Sequence, residues 1–295
     1  MRSEFKAHLM LLATALIYGA NFTIAREILV NENISPLALV LYRMIAAFIL
    51  FYIFHLFLIK ERVQKKDLVQ IFIMSVFGIV INQSFFIIGL KYTSPINASL
   101  LMTTVPIIVF IFSSLINKEK KSLLKISGIA LGFSGVLIII LNKPGISFDG
   151  SSMKGDIFIF LNSVSYAYYL VKVKPLFLKY NPITIIKWMF LFGILCLLPF
   201  SFRDAINVNW DTFELNTWIS FFYVLIFTTF FAYLFNNLAL QKLNSSVVSI
   251  YIYLQPIIAT LIAVIFIKDK LDLLRIIAGI MIFSGIYLVS YRKNR

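Results

Sequence analysis

Residues 7–25, 68–90, 92–117, 215–241 and 243–267 each run without one Asp, Glu, Lys or Arg. Every one of these stretches is as long as a helix needs to cross the hydrocarbon of a bilayer, roughly 18–20 residues. A helix apolar on all sides must be covered on all sides, by protein or by lipid. Five further apolar segments lie at about 35–59, 123–142, 155–172, 181–202 and 273–291, shorter or interrupted, two of them by a cation well inside, Arg43 and Lys187. The chain has 295 residues, 60% of them apolar and 14% charged, with a mean hydropathy of +0.92. A soluble domain carries about 25% charge. A soluble enzyme, a nucleic-acid-binding domain and a secreted disulfide scaffold are therefore excluded. The expected fold is an all-α membrane protein with ten transmembrane helices. Arg2 and Lys6 followed by an apolar stretch to Gly19-Ala20 imitate a signal peptide. Apolar segments continue to the end of the sequence, so an uncleaved first span is expected.

The 27 Lys and Arg against 13 Asp and Glu give a formal charge of +14. In a soluble protein that excess would point to nucleic acid. Here the cations occupy short connections, 17 on the side that carries both termini and 8 on the other. Basic connections stay in the cytoplasm, so both termini are expected there, against anionic lipid. One connection dissents, with Lys268, Lys270 and Arg275 on the outer side beside Asp269 and Asp272. The longest connection, about 203–214, is flanked by Trp210 and Trp218, residues typical of a membrane–water boundary. A single cysteine, Cys196, and two histidines, His8 and His55, supply no metal site and no disulfide. No cofactor is expected.

The chain repeats itself. A shift of 150 places residues 90–141 on 240–291 without a gap, matching Ser99 with Ser249 and Pro106-Ile107-Ile108 with Pro256-Ile257-Ile258. The same register aligns the corner Lys118-Glu119-Lys120 with Lys268-Asp269-Lys270, and Phe133-Ser134-Gly135 with Phe283-Ser284-Gly285. Apolar bias alone would not align a proline, a charged corner and a Phe-Ser-Gly run. A shift of 148 carries Thr14, Tyr18 and Asn21 onto Asn162, Tyr166 and Tyr169, and both sets fall on one helix face by their i, i+4, i+7 spacing. Pro36 and Pro182 open the second span of each half. Residues 1–145 and 146–295 thus each supply five spans. Five is odd, so the second half enters the membrane inverted. Inverted five-helix repeats are an architecture of secondary transporters, with the substrate site at the repeat interface near the midplane.

Ten spans in two such halves, Tyr18-Gly19-Ala20-Asn21-Phe22 in the first span and Arg43 in the second resemble the EamA family of the drug/metabolite transporter superfamily. So do the acidic corners at Glu119 and Asp269 and the glycines Gly135 and Gly285 in the spans that follow. The resemblance covers about residues 7–291. It implies two EamA-like repeats in a carrier of the bacterial inner membrane, many such carriers exporting amino acids and related metabolites. The chain departs from the family pattern with Tyr18 where Trp is common and Asp269 where Glu is common.

Polar groups inside hydrocarbon are costly and should face the bundle interior or a wet cavity. Thr14, Tyr18, Asn21, Arg43, Asn82, Gln83, Asn97, Asn162, Tyr166, Tyr169, Asn236, Tyr253 and Gln255 are the candidates for substrate contact. Any one of them could instead be a hydrogen bond between helices. The stripe shared by both halves argues for the cavity. Pro106 and Pro256 each remove a backbone donor within a span, so a kink or break is expected beside the site. Arg43 lies roughly 10 Å into its span at 1.5 Å per residue, where it either anchors to an interface or meets an anionic substrate group. Lys187, nearer its span's end, reads as an anchor. The expected function is alternating-access transport of a small polar or zwitterionic metabolite, amino-acid-like, working outward. The alternatives are a flippase for a lipid-linked substrate, a non-transporting scaffold and an intramembrane enzyme, the last without any catalytic cluster to support it. A small-molecule substrate and the lipid bilayer are the expected partners. Nucleic acid is excluded as a partner and a homodimer is left open.

Overall fold

The computed structural model describes residues 2–30, 34–93, 95–116, 123–141, 150–267 and 273–290. The charged corners 118–120 and 268–270 lie outside the described residues. Ten helical spans follow one another. They are α1 (Arg2–Val30), α2 (Pro36–Leu58), α3 (Lys65–Tyr92), α4 (95–116), α5 (Leu123–Leu141), α6 (Gly150–Lys172), α7 (Pro182–Ile206), α8 (Leu215–Lys242), α9 (245–267) and α10 (Leu273–Ser290). Among the described residues α1, α2, α3, α7 and α8 are long and apolar enough by themselves to cross a membrane.

The two halves start their second helices by the same device. Ser35 caps α2 by accepting from the Ala38 amide at 3.2 Å, and Asn181 caps α7 by accepting from the Ile183 amide at 3.0 Å. Each cap is followed by a proline at the first helical position, where no amide partner is needed.

Two departures from α geometry also recur in both halves. α3 is π-helical over Val76–Ile81, and α8 over Tyr223–Phe231. The shift of 150 lays the first segment on the second. α4 breaks between Pro95–Met102 and Val105–Ile116, and α9 tightens to a 3₁₀ turn at Tyr251–Tyr253. Both interruptions sit just ahead of Pro106 and Pro256. A proline lacks the amide for the carbonyl four residues back and its ring clashes with it, which places the disturbance at residues 102–106 and 252–256.

The main packing runs between halves. α5 lies along α10 and α2 along α7. α3 packs on α6, as α8 packs on α1, and α4 packs on α6, as α9 packs on α1. Exchanging the halves turns each of these pairings into itself or into its counterpart, the signature of a pseudo-two-fold relation between inverted repeats. Lipid supplies no hydrophobic drive to hold such helices together, so close approach through small residues does so. At the α5–α10 seam a Cβ on Gly285 would lie 2.6 Å from the Gly128 carbonyl oxygen and 2.8 Å from the Gly132 nitrogen.

The ends of the α2–α7 pair are tied across the halves. Ser35 Oγ donates to Asp204 Oδ2 at 2.8 Å at one end. At the other, the Asn181 amide donates to Glu61 Oε2 at 3.1 Å, and Lys179 and Tyr180 both bind the Asp67 carboxylate. The hydrogen bond with Asp67 raises the pKa of Lys179 above the usual lysine value.

Candidate functional site

A cavity opens where the halves meet, walled by residues of α1, α2, α3, α4, α6, α8 and α9. Both stripes reach it, the second without Tyr169. Thr14, Tyr18 and Asn21 form the α1 wall, and Asn162 and Tyr166 form the α6 wall. Arg43, Asn82, Gln83, Asn236 and Gln255 complete the polar lining. Apolar surface comes from Leu11, Ala15, Phe22, Phe86, Met102 and Ile252.

Each polar group has a definite state. Thr14 Oγ1 donates to the Met10 carbonyl at 2.9 Å, within its own helix. Asn162 Nδ2 donates to the Asn82 carbonyl at 2.5 Å, and Asn236 Nδ2 donates to the Tyr166 hydroxyl at 2.9 Å. Gln83 Nε2 donates to the Tyr233 hydroxyl at 3.1 Å. These two residues are 150 apart and therefore equivalent in the repeat, so the pseudo-two-fold axis passes between them. The Tyr233 hydroxyl in turn reaches the Gly78 carbonyl at 3.0 Å and Asn82 Oδ1 at 3.3 Å.

Several buried polar atoms have no partner. They include Asn21 Oδ1, Gln83 Oε1, Asn162 Oδ1 and Arg43 Nη1. An unpaired buried group costs its full desolvation, about 1–3 kcal/mol and more for a charge. Four of them belong to residues that line one cavity. Arg43 is buried at 3% exposure, and its Nε donates to Thr229 Oγ1 at 2.9 Å. No Asp or Glu is found among the described residues that line the cavity.

Two candidates stand elsewhere. Tyr169 is fully buried behind the wall, its hydroxyl donating to Asn237 Oδ1 at 2.6 Å and its ring lying on Gly78. It shares a helix face with Asn162 and Tyr166, but roughly 10 Å along the helix that face meets protein, not the cavity. Tyr253 turns its ring onto Gly132 of α5 and leaves its hydroxyl buried without a partner. The side chain of Asn97 lies outside the described residues. The structure adds Tyr233 and Tyr251 to the lining. The Tyr251 hydroxyl is 2.7 Å from Nδ1 of His8. Tyr233 could have been found from Gln83 by the repeat shift, whereas Thr229 carried no signal in the sequence.

The model of the EamA-like transporter family matches residues 5–141 and again 153–291. A protein of Archaeoglobus fulgidus named as an uncharacterized transporter is 27% identical over 295 residues, covering 98% of this chain and 99% of its own. The uncharacterized transporter YyaM of Bacillus subtilis is 24% identical over 284 residues, covering 96% and 93%. A crystal structure 15% identical in sequence superposes with a TM-score of 0.77 over 96% of both chains, a likeness of fold.

Proposed function

The chain belongs to the EamA-like transporter family and is a multi-pass membrane transporter, and from that premise we propose that its central cavity carries a small zwitterionic, amino-acid-like metabolite outward by alternating access. The observation that carries this reading is the set of unpaired groups in the wall. Arg43 Nη1 offers a cationic donor, and the amide oxygens of Asn21, Gln83 and Asn162 offer acceptors. A carboxylate answers the first and an ammonium or other N–H group the second. The apolar lining accepts a side chain of moderate size. Residues 1–145 and 146–295 are the two EamA-like units that rock about the Gln83–Tyr233 contact. With 17 cations on the termini's side against 8, both termini face the cytoplasm, of the inner membrane in a bacterial cell.

The test is counterflow. Purified protein in liposomes loaded with a mixture of unlabelled amino acids should take up a radiolabelled zwitterionic amino acid faster than empty liposomes do. Arg43→Gln should cut that uptake about thirtyfold or more. Equal uptake with and without protein across the twenty amino acids would end this reading.

A further inference from the structure

The geometry points to Thr229 as a positioning residue that makes the cavity select an anionic group by holding Arg43 in place, an inference that rests on the carrier reading above. An arginine inside a membrane span without a carboxylate beside it is free to swing along its stem toward an interface. Arg43 does not. Its Nε donates to Thr229 Oγ1 at 2.9 Å, across 186 residues of sequence and from one half of the molecule to the other. The Thr229 hydroxyl has one proton, and it goes to the Val224 carbonyl at 2.9 Å. Its lone pairs are thereby left to receive the guanidinium. One N–H edge of Arg43, a residue that lines the cavity, is thus fixed, and Nη1 stays buried without a partner.

The arrangement depends on the π register of α8. Val224 precedes Thr229 by five residues, the spacing of a π turn, and Thr228 Oγ1 donates to the same carbonyl at 2.6 Å. The equivalent positions in the π segment of α3 are Gly78 and Ile79, which carry no hydroxyl. The duplicated backbone therefore supplies a guanidinium cradle on the α2–α8 side alone. An anionic group meets fixed charge there, and the unpaired amide oxygens of Asn21, Gln83 and Asn162 take no part in binding it.

The experiment follows Arg43 itself, on the full chain labelled with ¹⁵N-arginine in lipid nanodiscs, the Nε–H resonance being assigned with Arg43→Lys. The probes are benzoate and its neutral isostere benzamide. Benzoate should shift the Arg43 resonance saturably and benzamide should not. Thr229→Val, nearly isosteric, should displace that resonance and weaken benzoate binding about tenfold, the loss of one hydrogen bond to a charged group. Thr229→Ser should keep both within about twofold, since it keeps the hydroxyl, and so answers for the case in which the valine variant fails to fold. Wild-type and Thr229→Val protein with the same resonance and the same benzoate affinity would overturn the inference. So would benzoate and benzamide acting alike on the wild type. Transport enters neither arm, so a failed counterflow assay would sink the carrier reading and leave this result to stand or fall alone.

Discussion

The π segments of α3 and α8 occupy equivalent places in the repeat, and their backbones depart from α geometry alike. Their side chains do opposite work. In α3 the segment presents Gly78, whose missing side chain lets the Tyr169 ring of α6 lie against the backbone. In α8 it presents Thr228 and Thr229, whose hydroxyls turn inward, one of them onto Arg43. π-bulges concentrate at functional sites because they re-aim side chains without ending the helix. Duplication explains why the backbone feature is there twice. The chemistry of the cavity lies where the two copies differ.

The largest effect should come from the α8 side. Arg43→Gln removes the one cation in the described lining and leaves Thr229 without its donor. Truncating one partner of a buried charged hydrogen bond costs about 2–5 kcal/mol. Uptake of a zwitterionic solute should accordingly fall about thirtyfold or more, with folding intact by unfolding temperature. A variant that transports at the wild-type rate would show that Arg43 only anchors its helix.

The α3 side should fail differently, in stability and not in charge recognition. On Gly78 a Cβ would fall 2.4 Å from Tyr169 Cδ2, and the fully buried Tyr169 ring has nowhere to retreat. Overpacking of this kind costs about 1–3 kcal/mol. Gly78→Ala should therefore unfold at clearly lower temperature, whereas Thr228→Ala, its counterpart, removes a hydroxyl that serves its own helix. Equal unfolding temperatures for the two variants would erase the distinction drawn between the segments.

Tyr233→Phe tests the contact on the axis. It removes the acceptor of Gln83 and the donor to Gly78. Hydrogen bonds between membrane helices average about 0.6 kcal/mol. A modest loss of stability is expected, with slower exchange between inward and outward access in counterflow. No change in either would place the pivot elsewhere.

Much of this was open to reading in the residues. Charge-free runs reveal spans because lipid tolerates no unpaired charge, and a register that aligns Pro106 with Pro256 reveals duplication. Asn21, Gln83 and Asn162 could be placed at a cavity because an amide in hydrocarbon must face something polar. A threonine gives no such sign. Its hydroxyl satisfies itself on its own helix, as Thr14 does on Met10, so Thr229 looks like any other small residue of an apolar run. Nor does periodicity encode the change from α to π hydrogen bonding in Val76–Ile81, six residues almost wholly aliphatic. Tyr169 and Tyr253 lie off the cavity for a third reason. A face can be read from spacing, but the depth at which that face stops meeting open space depends on the neighbouring helices.

The smallest effect belongs to the ties at the ends of the α2–α7 pair. Ser35 with Asp204, and Asn181 with Glu61, join each of the two equivalent caps to a carboxylate, and among the described residues Lys179 with Asp67 adds an ion pair at the second end. That pair is solvent-exposed on the lysine side, so water and salt screen it. Lys179→Met should leave the unfolding temperature at neutral pH within about one degree of wild type. The sign of its pH dependence is fixed all the same. Hydrogen bonding to Asp67 raises the Lys179 pKa in the folded protein. Whatever the pair contributes is fully present below the ordinary lysine range and disappears as pH climbs through the raised value. Wild type and Lys179→Met should therefore unfold at converging temperatures in strongly alkaline buffer. Curves that diverge there would mean that the end with the extra ion pair is held together by something other than Lys179.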